Sequence, residues 1–262
     1  SNMAAAEGPR RGMRILVVTV GTQGDVSPAV ALARSLRDHG AELVGVCTHA
    51  PFQKEVSESS GGLFSAGASF FDVGPSPDEA LRDTPEGVEL TNAGTFSKLG
   101  AATRFMAPLI KLWMRGIDGA VTSFKPDLVV LFTLPIFFGH SVLEKLRAAE
   151  PGRTPVSVVW CHLMPLEPTA THAPPVGFGE GRTWTAFTAN AKWSLSSTLG
   201  YDLVYKAPVD AQRLEWGLVP APGSPFVVTE PKPLTIMAYS PTLCPTPRDW
   251  DHGRVHVVGS LV

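Results

Sequence analysis

The chain of 262 residues is short of the features that mark specialised protein classes. Its three cysteines, Cys47, Cys161 and Cys244, are widely separated and form no Cys-x-x-Cys pair. That excludes a disulfide framework or a zinc ribbon and leads us to expect a reducing, cytoplasmic compartment. Neither sign of charge dominates: 22 Lys and Arg against 24 Asp and Glu give a formal charge of -2, too even a balance for a nucleic-acid surface or an acidic tail. The longest apolar run, Leu128 to Gly139, contains Pro135 and is too short to cross a bilayer. The Gly-Lys-Ser/Thr ending of a phosphate loop, the spaced three-glycine dinucleotide fingerprint and the Gly-x-Ser-x-Gly elbow of serine hydrolases are all missing. His252 and His256 have a helical ligand spacing, but Gly253 and the valines that follow predict turn and strand, so no metal site is expected. There is no internal repeat.

What the chain does have is an alternation of buried-strand and helix patterns, and 44% hydrophobic residues suffice for one sizeable α/β core. Ser1-Asn2 ahead of Met3 resembles a protease-cleavage scar, and residues 1–12 are expected to form a disordered leader. Residues 14–20 (Arg-Ile-Leu-Val-Val-Thr-Val) have the aliphatic, β-branched composition of a central parallel strand covered on both faces. Gly21 and Gly24 allow unusual backbone and close approach of a ligand. Ser27-Pro28 then reads as the N-cap and first position of a helix running to His39 and ending at Gly40. Asp25 thereby falls at the carboxyl end of the first strand, where open α/β sheets place their ligands. On composition alone, Asp25 equally suits a glycine turn in which it satisfies the amides of the next helix.

Further strands are expected at Glu42–Thr48, Leu63–Ala66, Leu128–Phe132, Val156–Trp160, around Phe226–Val228, Leu234–Ala238 and Val255–Val258, with helices at Phe52–Ser59, Thr103–Phe124, Ile136–Ala149 and, interrupted near Gly200, over Trp184–Trp216. Residues 72–100 read as a long loop or partly helical excursion over the ligand face. Most of the apolar stripe from Thr103 to Phe124 is expected to be core, with Phe105 and Met106 the exceptions. Six or more strands separated by helices imply one doubly wound, Rossmann-like parallel sheet. After the fifth strand, residues 161–175 form a proline-rich loop carrying His162, Met164, Glu167 and His172; Asp25 and Glu167 are a conceivable carboxylate pair.

Gly-Thr-Gln-Gly-Asp-Val-Ser-Pro at 21–28, followed by Ala-Val-Ala-Leu-Ala, resembles the first loop of GT-B glycosyltransferases of the UDP-glycosyltransferase superfamily. The match is to their sterol and antibiotic branches, which carry Asp where many relatives have His. A second stretch, Ala238-Tyr239-Ser240-Pro241-Thr242-Leu243-Cys244-Pro245-Thr246-Pro247-Arg248-Asp249-Trp250 and then Val255-His256-Val257-Val258-Gly259, resembles the end of that family's N-terminal domain.

The resemblance implies the N-terminal half of a GT-B fold over residues 13–259, with an interdomain linker beginning at 260–262 and the donor-binding domain supplied in cis or in trans. It implies inverting transfer of a sugar from a UDP- or TDP-sugar to a hydroxyl of a hydrophobic small molecule, a natural-product aglycone or a sterol-like alcohol. Asp25 would be the catalytic residue, framed by Gly21, Thr22, Gly24, Ser27 and Pro28. Phe105, Met106, Phe137, His162, Met164 and Glu167 are the acceptor-binding candidates. The nucleotide sugar is a co-substrate; neither cofactor nor metal is expected, and the isolated domain is expected to be inactive. Because an ordinary aspartate has a pKa near ~3.9, proton transfer to it has to be late and concerted. The positive end of the following helix is expected to weaken it further as a base. The rival readings are a non-catalytic module for a hydrophobic ligand and another GT-B enzyme, such as a subunit of a lipid-linked N-acetylglucosaminyltransferase.

Overall fold

A computed structural model describes residues 12–41, 43–58, 67–94, 97–167, 169, 198–242 and 244–261. Seven strands form one sheet: β1 Arg14–Val18, β2 Leu43–Thr48, β3 Ser69–Asp72, β4 Leu128–Phe132, β5 Ser157–His162, β6 Leu234–Met237 and β7 Val255–Val257. All neighbouring pairs are parallel, in the order β3-β2-β1-β4-β5-β6-β7. The order reverses between β1 and β4, which makes the carboxyl end of β1 the topological switch point of the sheet.

Alternation along the strands explains the two-sided burial. Leu16, Val18, Val129, Leu131 and Trp160 face one layer, whose main helix is α5 (Lys98–Phe124), joined by α6 (Thr133–Ala149). Ile15, Val17, Val130, Phe132 and Cys161 face the other, covered by α1 (Gln23–Asp38). Helix α5 contributes Phe105, Leu109, Ile110, Trp113, Met114, Ile117 and Val121 to the first layer. Each such side chain contributes about 1.5–3 kcal/mol when fully buried. Gly116 lets α5 approach the exit of β3, since a Cβ there would overlap the carbonyl of Val73.

The doubly wound parallel sheet matches expectation, but several boundaries differ. Helix α1 begins at Gln23, not after Ser27: Thr22 is its N-cap, and Asp25 at the third helical position closes a capping box with it. Pro28 lies inside the helix and forfeits one bond, to the carbonyl of Gly24, a residue exposed to solvent; the capping box outweighs that single loss. Ser27 caps nothing, its hydroxyl accepting from Gln23 Nε2 at 2.7 Å. At the other end Gly40, at φ 95°, follows the C-cap His39.

After the short α2 (Gln53–Ser57), the third strand is β3, and the expected strand at residues 63–66 lies outside the described residues. The segment over the ligand face contains two capped helices, α3 (Pro77–Asp83) and α4 (Pro85–Asn92). A π-helical turn at Tyr201–Tyr205 follows Gly200 and leads into α7 (Lys206–Glu215); residues 184–197 are outside the described part. The strand expected at Phe226–Val228 is instead helix α8 (Pro225–Val228), with Val227 and Val228 donating to the Ser224 carbonyl. Proline at its first position favours that start over the strand that the apolar run suggests.

Candidate functional site at the carboxyl edge of the sheet

Three consecutive strand exits meet around Asp25. After β1, the chain turns at Gly21, whose φ is 150°, and enters α1. The Asp25 carboxylate folds back over this turn and accepts the Thr22 N–H at 3.0 Å. A Cβ on residue 21 would overlap that carboxylate, so glycine is required there on two grounds, conformation and space. The Thr19 hydroxyl donates to the Asp25 carbonyl at 3.2 Å and ties the first helical turn to the strand.

After β2 comes His49, fully buried. Its Nε2 accepts the Gly21 N–H at 3.1 Å and its Nδ1 lies 2.8 Å from the Gly74 carbonyl in the turn after β3. The Trp113 ring stands edge-on to it, 6.2 Å between centroids, and donates from its indole nitrogen to the Pro75 carbonyl at 2.9 Å. Burial pushes the Asp25 carboxyl above the ordinary aspartate value, against the opposing pull of the Thr22 N–H and the His49 ring. The expectation of a weakened base is therefore reversed: desolvation outweighs the hydrogen bonds from Thr22 and the pull of the His49 ring. Burial also pushes His49 below the ordinary histidine value.

The acceptor candidates separate into two sets. At the ends of β4 and β5, His162 is fully buried and its Nδ1 lies 3.4 Å from the Thr133 hydroxyl, while its Nε2 has no partner among the described residues. Phe226 lies 5.7 Å from its ring and 5.1 Å from that of Phe137, which stacks on Tyr205 at 4.3 Å. These residues and the exposed Met164 belong to the same edge of the sheet as Asp25. The remaining candidates belong elsewhere. Phe105 is buried in the core and the half-buried Met106 packs against that core, because α5 turns most of this stripe inward, with Leu112 left exposed. Glu167 is buried in an ion pair with Arg254, which commits its carboxylate to the start of β7 instead of to a ligand. His172 lies outside the described residues.

Sequence reasoning missed His49. The signal was present, since the rule that singled out Asp25, a polar residue at the carboxyl end of a central strand, applies equally to Cys47-Thr48-His49. His252 lies in a turn and His256 in β7, on no common helix face.

A seven-stranded parallel sheet wound in this order, with a carboxylate on the first βα turn, is the Rossmann-like fold found in GT-B glycosyltransferases. Residues 15–85, which carry β1, Asp25, His49 and β3, match the glycosyltransferase family 28 N-terminal domain. A stretch of 65 residues, 25% of this chain and 9% of the relative, is 40% identical to the sterol 3-beta-glucosyltransferase UGT80A2 of Arabidopsis thaliana. Among solved structures, CalG4, the calicheamicin glycosyltransferase, shares the fold at a TM-score of 0.50 and 17% identity over 95% of this chain. The glycosyltransferase of kitacinnamycin shares it at a TM-score of 0.54 and 15% identity, again over 95% of this chain. The chain spans 53% and 52% of the lengths of those two structures, and a far smaller part of the plant enzyme.

Proposed function

We propose that this chain binds the acceptor in an inverting glycosyl transfer, holding a hydroxyl of a hydrophobic small molecule against Asp25 while a donor domain presents a UDP- or TDP-sugar. The observation that carries the reading is the position and state of Asp25: a half-buried carboxylate at the switch point of the sheet, with burial raising its proton affinity. The acceptor hydroxyl attacks the anomeric carbon from the face opposite the departing diphosphate, and Asp25 takes the hydroxyl proton as the carbon–oxygen bond forms. The raised affinity eases this transfer, because a stronger base takes the proton with a larger driving force. His162, whose Nε2 has no partner among the described residues, and the aromatic group around Phe137 suit an apolar, ring-bearing alcohol. The relatives named after calicheamicin and kitacinnamycin, and the sterol enzyme, support that acceptor class.

Calorimetric titration of the chain with nucleotide sugars and with polycyclic alcohols and phenols tests the assignment. Binding of the alcohols without the nucleotide sugars is expected; tight binding of a nucleotide sugar to this chain alone overturns it. With a donor domain supplied, Asp25→Asn is expected to keep acceptor binding and slow transfer by about 10²-fold or more. Near-normal turnover by that variant removes Asp25 from the chemistry.

A further inference from the structure

His49 does something more specific than fill the core, and the reasoning rests on the proposed role of Asp25. Both of its ring nitrogens are spent on main-chain groups of the turns that flank the site, Gly21 N–H on one side and the Gly74 carbonyl on the other. An amide only donates and a carbonyl only accepts, so the ring carries its proton on Nδ1 and leaves Nε2 bare. A second proton would set an N–H of the ring against the N–H of Gly21.

The consequence for Asp25 follows from the chain geometry. The Gly21 N–H belongs to the peptide plane before the Gly21 φ torsion, and the Thr22 N–H belongs to the plane after its ψ torsion. His49 holds the first plane and the Asp25 carboxylate holds the second, at 3.1 and 3.0 Å. Gly21 is the pivot between them, at a φ of 150° that other residues rarely adopt. With the first plane fixed, the second can present its N–H to Asp25 in only a narrow range of orientations. With the first plane released, glycine leaves the pivot free.

We infer that His49 is a positioning residue for the acceptor site: its neutral ring sets the Gly21 pivot, and through it the orientation of the Asp25 carboxylate, and protonation of the ring releases both. Burial disfavours the imidazolium and prevails over the groups that favour it, the Gly74 carbonyl and the carboxylates of Asp72 on β3, Glu79 on α3 and Asp25 on α1. The Trp113 indole from α5 closes the remaining side with a neutral edge. The arrangement therefore holds near neutral pH and fails on acidification.

Nitrogen NMR of the His49 ring in the unaltered chain tests the tautomer without any substitution. A proton on Nδ1 and a bare Nε2 are expected at pH 7; a proton on Nε2 overturns the inference. His49→Phe keeps a ring of similar shape and removes both bonds, and is expected to raise Gly21 amide exchange by about tenfold and to shift the titration of the Asp25 carboxyl. His49→Gln offers an acceptor and a donor at a similar separation and does not titrate. It is expected to restore Gly21 protection and, with a donor domain, turnover, while His49→Phe loses about tenfold in kcat with KM for the nucleotide sugar unchanged. Unchanged Gly21 exchange and Asp25 titration in His49→Phe overturn this inference alone. Full turnover by Asp25→Asn, with the coupling of Gly21 to His49 intact, overturns the proposed function alone.

Discussion

Acidification from pH 7.5 to 5.0 should cost this fold about 4 kcal/mol, and two histidines outside the Asp25 turn account for it. Burial pushes the His162 ring down to about 3 and the His140 ring down to about 4. His140 is further held neutral by the Trp160 indole, which donates to its Nε2 at 2.9 Å. In the unfolded chain each ring titrates near ~6.5. Both folded values lie below the unfolded one, so the unfolded state binds more protons as pH falls from about 6.5 towards the folded values, and stability is lost over that window. At pH 5.0 each unfolded ring lies about 1.5 units below its midpoint, worth ~2 kcal/mol, while neither folded ring has yet taken its proton. Domains of this kind have a net stability of about 5–15 kcal/mol, so the effect is easily resolved. Asp25 has the opposite sign, since a folded carboxyl raised above its unfolded value gains stability as pH falls. Urea unfolding followed by tryptophan fluorescence at the two pH values measures the difference, and His140→Gln and His162→Gln should each remove about half of it. Burial holds His49 below its ordinary value too, which adds a loss of the same sign, so a difference under about 1 kcal/mol in the unaltered chain, or one undiminished in the double variant, would refute the reasoning.

Gly21→Ala should cost about 1–3 kcal/mol and displace the Asp25 carboxylate, seen as loss of the Thr22 amide hydrogen bond in an NMR spectrum. Glu167→Gln removes the partner of Arg254, which is 21% exposed, and should cost about 2–3 kcal/mol by urea unfolding, less than a fully buried pair; unchanged stability with weakened acceptor binding would return Glu167 to the ligand site. Gly116→Ala gains about 1 kcal/mol of helix propensity, but its Cβ meets the Val73 carbonyl, and net destabilisation of about 1–3 kcal/mol is expected in a thermal melt.

The sheet was legible because its strands are buried on both faces and therefore read as unbroken apolar runs, as Leu128–Phe132 does to the residue. Helix starts were less legible, because two signals competed at the first one. Ser27-Pro28 has the better composition for a start, yet Thr22 and Asp25 close a reciprocal pair that depends on Gly21 having no side chain, and that dependence shows only in three dimensions. Phe226-Val227-Val228 reads as strand on propensity, but its placement after Ser224-Pro225 makes a helical turn. The site was half legible. Asp25 stands out because it follows a strand, whereas His49 acquires its meaning from Gly21 and Gly74, which are 28 and 25 residues away in the chain. Glu167 misled for the same reason, its partner Arg254 being 87 residues on.

The balance of effects on Asp25 bears on how an aspartate at this turn serves as a base under the proposed function. Placed at the third position of a helix and hydrogen-bonded to an amide, a carboxylate should be a poorer base than one in water. Burial reverses this, and a hydrophobic acceptor bound over the turn would remove more water and carry the reversal further. Under the proposed function, the site is then most basic when the acceptor is seated, and solvent competes least for the carboxylate at that moment. That gain depends on a carboxylate held in place while desolvated, since a freely rotating one would turn outward to water. The Gly21 turn, pinned by His49 on one side and closed by the Thr22 amide on the other, supplies the constraint.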